Sequence, residues 1–298
     1  MTSQRISVYY DRFKDIDVTF TKEIIQVTGL ITQQIHLKCG NDFWPCVVYT
    51  ASFEGAKVVA NVRTGLLGKL QSTNNIVNIR FCFRIPGETN ALTFFIAGRV
   101  TASAPYGNSQ DVNMFTIQFP NRPPDDFIEI MGRVLDANVN SAKRKEDRIQ
   151  LNQENMRKLN ILSNESAVFI QGVPRRCILR DLSFSGSKLI MMGVAKFLVD
   201  KEASLRLDFN DPREAFNIHG KFIRAENVEG KKEMVALGLQ FNDAAVPMGF
   251  KIRLNEFLTA IRADYYHGTD EEPTAVEGQK PPSAAAAPKT DADAAPAK

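Results

Sequence analysis

The chain has 298 residues, 44% apolar and 24% charged, which suits two globular domains of ordinary size. Lysine and arginine number 37 against 34 acids, a formal net charge of +3, and this excludes a strong bulk pull toward nucleic acid or membrane surfaces. No apolar run approaches the ~20 residues of a spanning helix, and the polar start Met1-Thr2-Ser3-Gln4-Arg5 lacks the apolar core of a signal peptide, so a cytoplasmic protein is expected.

Residues 1 to about 20 mix aromatic and charged side chains and specify no regular element. A short helix is expected from Thr21 to Thr28, closed by Gly29. Strands follow at Gln34–Lys38, Trp44–Ser52, Ala56–Val62, Ile76–Ile85, Leu92–Val100 and Val112–Phe119, with a short helix over Gly65–Gln71. Turn residues such as Gly40-Asn41-Asp42 and Pro86-Gly87 separate them. Arg122-Pro123-Pro124-Asp125-Asp126 opens a helix: prolines fit a first turn, and acids favour its positive end. Its apolar face is Phe127, Ile130, Met131, Val134 and Leu135, and it is expected to end near Ala137-Asn138.

The charged segment 139–147 reads as a linker. A second domain over 148–266 follows, with a helix at Asn152–Leu159. Strands are expected at Ser166–Gln171, Arg175–Leu182, Ser187–Met192, Ala203–Asn210, Ala215–Ala225 and Glu233–Phe241. Six even strands with short turns suggest a small barrel, closed by a helix over Met248–Arg262. Residues 267–298 hold Pro, Ala and charges with Val276 as the one large aliphatic, too little apolar surface to offset ordering entropy; this tail is expected to be disordered. The fold class is thus mainly β with a few helices, in two β-barrel-like domains, the first over 1–138. No internal sequence repeat is evident, although two β domains can share an architecture.

Cys39, Cys46, Cys82 and Cys177 form no C-x-x-C pair; three of them sit in strand-like runs as buried reduced thiols. His36, His219 and His267 are too dispersed for a zinc site. Gly65-Leu66-Leu67-Gly68-Lys69 lacks the pattern of a phosphate loop. Ser183 has no neighbouring histidine to activate it, and with no base, nucleophile or metal site in view an enzyme is not expected.

Two motifs carry the functional reading. Arg144-Lys145-Glu146-Asp147-Arg148 is R-x-x-x-R, and Asp181-Leu182-Ser183-Phe184-Ser185-Gly186 is D-x-S-x-x-G. A guanidinium offers a rigid fork of donors that matches both a phosphate and the O6/N7 edge of guanine. Asp181 can accept from the N1–H/N2–H edge of guanine, and Ser183 can donate to a phosphate. Strand alternation puts Asp181 and Ser183 on one face. Gly186 permits positive φ and a close ligand approach. Lys143 and Lys145 add long-range attraction, while Arg175, Arg176 and Arg180 read either as solvated strand residues, the preferred reading, or as an extension of the anion site.

The two motifs in this order, ahead of the predicted barrel, resemble the PilZ domain, the bacterial receptor module for cyclic di-GMP. Leu237-Gly238-Leu239-Gln240-Phe241 is similar to its closing strand, so the resemblance covers Ser141 to about Asp264. It implies a six-stranded PilZ barrel with no resident cofactor, whose cyclic di-GMP site is Arg144, Arg148, Asp181, Ser183 and Gly186. The first domain is similar to the PilZN, flagellar-brake-type split barrel, and its Arg122–Ile130 run resembles spirochaete PilZ proteins. The resemblance further implies a receptor whose domains reorient on binding and are read by a downstream protein, such as motility machinery or a regulator. The other reading from the residues is a single-stranded RNA or oligonucleotide-binding barrel that uses its spaced aromatics.

Overall fold

The structure, a computed structural model, describes residues 3–231 and 233–267; from residue 268 on, the expected tail lies outside the described residues. The first half runs α1 (Ser3–Phe13), β1 (Val18–Thr19), α2 (Lys22–Thr28), β2 (His36–Cys39), β3 (Asp42–Ala51), β4 (Gly55–Asn61), α3 (Leu66–Ser72), β5 (Ile76–Phe83), β6 (Leu92–Pro105), β7 (Val112–Gln118) and α4 (Asp125–Lys143). The second runs β8 (Ile149–Gln150), α5 (Gln153–Leu159), β9 (Glu165–Ile170), β10 (Val173–Leu182), β11 (Gly186–Met192), α6 (Ala195–Leu198), β12 (Glu202–Phe209), β13 (Glu214–Asn227), β14 (Met234–Phe241) and α7 (Met248–His267).

Each half closes a six-stranded antiparallel barrel. The first has the order β2-β3-β4-β7-β6-β5, with β5 returning to β2; the second has β9-β10-β11-β14-β13-β12, with β12 returning to β9. The connectivity is the same, and so are the irregularities. A register shift falls between Val48 and Thr50 in one barrel and between Leu179 and Asp181 in the other. A two-residue strand adds to the edge of each: Val18–Thr19 beside Ala51 and Thr50, Ile149–Gln150 beside Leu182 and Asp181. A capped seven-residue helix follows in both. Thr21 and Asn152 accept at its start, and Gly29 and Asn160 end it in the left-handed region, where glycine and asparagine are the residues that fit.

No repeat is evident from the sequence alone, yet the two β domains do share an architecture. Equivalent positions carry identical residues at constant spacing: Cys46/Cys177, Ser52/Ser183, Phe53/Phe184, Gly55/Gly186 and Lys57/Lys188. Beyond β4 and β11 the connections differ in length, so the spacing changes before Gly98/Gly220, Gln118/Gln240 and Phe119/Phe241. A broken period over otherwise substituted strands leaves little signal in the bare sequence.

The strands form because apolar residues alternate along them, and they bury Leu37, Val58, Ile79, Phe81 and Phe115 in one barrel and Val168, Leu205, Ile218, Phe222 and Leu237 in the other. Each such side chain contributes roughly 1.5–3 kcal/mol by burial. Cys46 and Cys177 are buried, and burial pushes both thiols up to about 12. Helix α4 inserts Phe127 beside Phe53, Phe81 and Phe94. Helix α1, absent from the sequence reading, packs on α4 so closely that a Cβ on Gly132 would lie 2.3 Å from the Tyr9 ring. Helix α4 also overruns its expected end. Instead of a free linker from residue 139, helix continues to Lys143, because Val134, Leu135, Ala137, Asn140 and Ser141 are all buried and packing extends it.

Candidate functional site

Arg144 stands as the residue that ends α4, and its N–H donates to the Asn140 carbonyl at 2.8 Å. The segment then turns, with the Asp147 N–H bonded to Arg144 O at 3.1 Å, and delivers Arg148 to the start of β8. Because β8 pairs with β10 opposite Asp181 and Leu182, the R-x-x-x-R segment lies against the D-x-S-x-x-G turn. The Arg148 guanidinium donates to Asp181 Oδ1 at 3.0 Å. Ser185 Oγ donates to the Lys145 carbonyl at 2.8 Å, and Lys145 Nζ pairs with Asp243.

Asp181 is 5% exposed. Its Oδ1 also accepts the Lys188 N–H at 2.8 Å, and its carbonyl accepts from Ser187 Oγ. A buried carboxylate of this kind needs donors, and among the described residues both side-chain bonds end on Oδ1, which leaves Oδ2 for a donor edge. Arg148 is half exposed, with 45% of its side chain open. Lys188 and Gln240 are exposed beside the turn, Gln240 directly opposite Gly186 across β11 and β14.

Ser183 and Gly186 sit differently from expectation. Strand β10 ends at Leu182, so Ser183 belongs to the turn and not to a strand face shared with Asp181. It is fully buried, and its Oγ lies 3.1 Å from both the N–H and the carbonyl of Gly186. Gly186 is not among the positive-φ glycines. A Cβ there would lie 2.4 Å from Leu239 O: it is glycine because a neighbouring strand's backbone crosses it. Two residues absent from the sequence reading of the site, Ser185 and Lys188, hold the arginine segment and the Asp181 carboxylate. Ser185 occupies a variable place in the motif, and Lys188 acts through its backbone, so neither leaves a sequence signal. Arg175, Arg176 and Arg180 are exposed. Lys69 of the rejected glycine loop pairs with Asp42 at 2.7 Å.

Among the described residues no helix is long and apolar enough to cross a membrane. Residues 4–138 match the family model of the PilZN3 domain. The chain is 40% identical over 261 residues to a cyclic di-GMP binding protein of Treponema denticola, covering 87% of this chain and 83% of that protein. Among solved structures, it is similar to the PlzA protein of Borreliella burgdorferi in complex with c-di-GMP, at 21% identity and a TM-score of 0.39, over 86% of this chain and 98% of that one. The PilZ domain of YcgR from Escherichia coli with c-di-GMP matches at 13% identity and a TM-score of 0.27, over 41% of this chain and 95% of that one.

Proposed function

This chain belongs to the two-domain PilZ family, with a PilZN3 domain in its first half, and we propose that it is a cytoplasmic receptor for cyclic di-GMP. The observation that carries the reading is the seating of the R-x-x-x-R segment on the D-x-S-x-x-G turn through the Arg148–Asp181 pair at 3.0 Å. A ligand with two phosphates and two guanine edges meets there two fork-shaped cations and one carboxylate. Arg144 and Arg148 take phosphate oxygens or the O6/N7 edge, and Asp181 takes the N1–H/N2–H edge. Ser183 and Gly186 build the turn that presents them.

Arg148 and Asp181 are bonded to each other before the ligand arrives. Binding replaces their mutual bond with bonds to the ligand, and the segment from Lys145 to Arg148 moves with it. Since that segment continues α4, the second half of the reading is a change in interdomain arrangement that a partner in motility or gene expression detects.

Calorimetric titration of cyclic di-GMP into the full chain and into Arg144→Ala/Arg148→Ala, with GTP as control, tests the reading. Binding by the native sequence that is lost in the double variant and absent for GTP is expected. Equal binding by both would overturn the site.

A second reading, single-stranded RNA or oligonucleotide, is favoured by one feature of the first barrel. Phe43 and Phe95 are 51% and 45% exposed, and Lys38 Nζ lies 5.5 and 5.8 Å from their rings. Such a platform stacks bases with little sequence preference. It predicts binding that survives Asp181→Ala and falls steeply with salt.

A further inference from the structure

A buried polar chain joins the two barrels behind the proposed site. Arg12 of α1 donates to Asp136 Oδ1 on α4 at 3.1 Å. The other carboxylate oxygen of Asp136 accepts from Asn255 Nδ2 on α7 at 2.9 Å. Asn255 Oδ1 accepts from Asn140 Nδ2, one turn further along α4, at 2.8 Å. The Asn140 carbonyl in turn accepts the Arg144 N–H. Asp136, Asn140 and Asn255 are 7%, 6% and 1% exposed.

The chemistry allows one arrangement. A carboxylate only accepts, so Asn255 must turn its amide NH2 toward Asp136 and its oxygen toward Asn140. Shifting α7 along α4 by a turn would leave these groups buried without partners, a cost that apolar packing alone does not impose. The network therefore sets the register between the helix that leads into Arg144 and the helix that closes the second barrel. Nothing else buried and polar is shared by those helices among the described residues; their other pair, Arg133–Glu256, is partly exposed at 41% and 36%.

We propose that Asn255 is a positioning residue for the ligand site: through Asn140 it holds the last turn of α4, and with it Arg144, in register with Asp181. This rests on the cyclic di-GMP reading above. Asn255 touches no ligand in this scheme and acts only through the helix it anchors.

The test is calorimetric titration of cyclic di-GMP into four full-length forms, with urea denaturation of each. They are the native sequence, Asn255→Asp, the exchange Asp136→Asn/Asn255→Asp, and Arg133→Ala. Asn255→Asp sets two carboxylates face to face, and the affinity is expected to fall about tenfold, a size typical of coupled sites. The exchange keeps every donor opposite an acceptor and is expected to recover most of that loss. Arg133→Ala loosens the same helix pair at its rim and is expected to stay within about twofold of native affinity, as an exposed pair should. A lowered denaturation midpoint for Asn255→Asp with unchanged affinity, or no recovery in the exchange, overturns the proposal and leaves a packing role. If Asn255→Asp does not fold, Asn140→Ala, which keeps the Asp136–Asn255 bond, is read by the same criteria. Absence of binding by the native sequence would sink the receptor reading itself, and this one with it; native binding with no response to Asn255→Asp sinks only this one.

Discussion

The two barrels share one chain path and differ where the motifs lie. At the positions equivalent to Arg144, Arg148 and Asp181, the first barrel has Phe13, Asp17 and Thr50. Phe13 is a core residue at 1% exposure, and Asp17 faces Lys57 at 3.9 Å. Both cations of the motif are gone, one replaced by an acid, so the first barrel cannot offer the same charges to a phosphate. Yet Ser52 and Gly55 remain where the second barrel has Ser183 and Gly186. The Ser52 N–H bonds to Gly55 O as the Ser183 N–H does to Gly186 O. A Cβ on Gly55 would lie 2.5 Å from Ile117 O, as one on Gly186 would lie 2.4 Å from Leu239 O. The duplication therefore separates the motif into parts. Serine and glycine make the turn in either barrel; the arginines and Asp181 are what the second barrel adds.

The sharpest way to break this division is at the two glycines. Gly55→Ala and Gly186→Ala should each lower stability by about 2–3 kcal/mol, as inserted bulk against fixed backbone does, read by urea denaturation. Ligand loss in Gly186→Ala without a stability loss would make that glycine a ligand contact and end the equivalence.

The helix ends give a second contrast. Gly29 has φ +72° and a Cβ there would meet Arg84 O at 2.2 Å, whereas Asn160 holds φ 56° in the same place. Gly29→Asn should cost about 2 kcal/mol or more through that clash. Asn160→Gly should shift stability by no more than about 0.5 kcal/mol, since both residues tolerate the left-handed region. Equal costs for both changes would mean the two caps are packed alike.

Asp181→Asn comes next. It keeps an acceptor for the Lys188 N–H but weakens the pair with the half-exposed Arg148. A loss of about 1 kcal/mol or less is expected, together with weakened cyclic di-GMP binding by titration.

The smallest expected effect lies with Cys46 and Cys177, the equivalent free cysteines of the two barrels. Their folded values near 12 exceed the ordinary 9.0, so the folded state retains protons that the unfolded chain releases. Stability from this source is complete below pH 9 and is lost as pH rises toward 12. Thiol labelling at pH 8 should be slow in the native chain for both and fast after unfolding. Rapid native labelling of Cys177 alone would show the second barrel opening more readily.

Much of this was legible in the residues themselves. Runs of β-forming residues between turn signals, some of them alternating, located all twelve barrel strands to within a few positions, and Thr21, Gly29 and Asn152 marked the short helices, because these signals are local. The spacing of Arg144 with Arg148 and of Asp181 with Ser183 and Gly186 picked out the segments that meet. What those residues do on meeting was less legible. Gly186 read as a position for positive φ and has none, its lack of a side chain matching a strand backbone that crosses it; residues 139–143 read as linker and are helix, with Asn140 and Ser141 buried.

Strand alternation, the helix caps and the chemical character of the motif side chains follow from local residue order, since each depends on neighbours a few residues away. The tertiary structure alone decided that two divergent halves close the same barrel and that Arg148 finds Asp181. It alone decided that Asp136, Asn140 and Asn255 share one buried network. Those outcomes depend on closure and burial between groups far apart along the chain, where the cost of an unpaired polar atom or a colliding Cβ exists only once the elements pack.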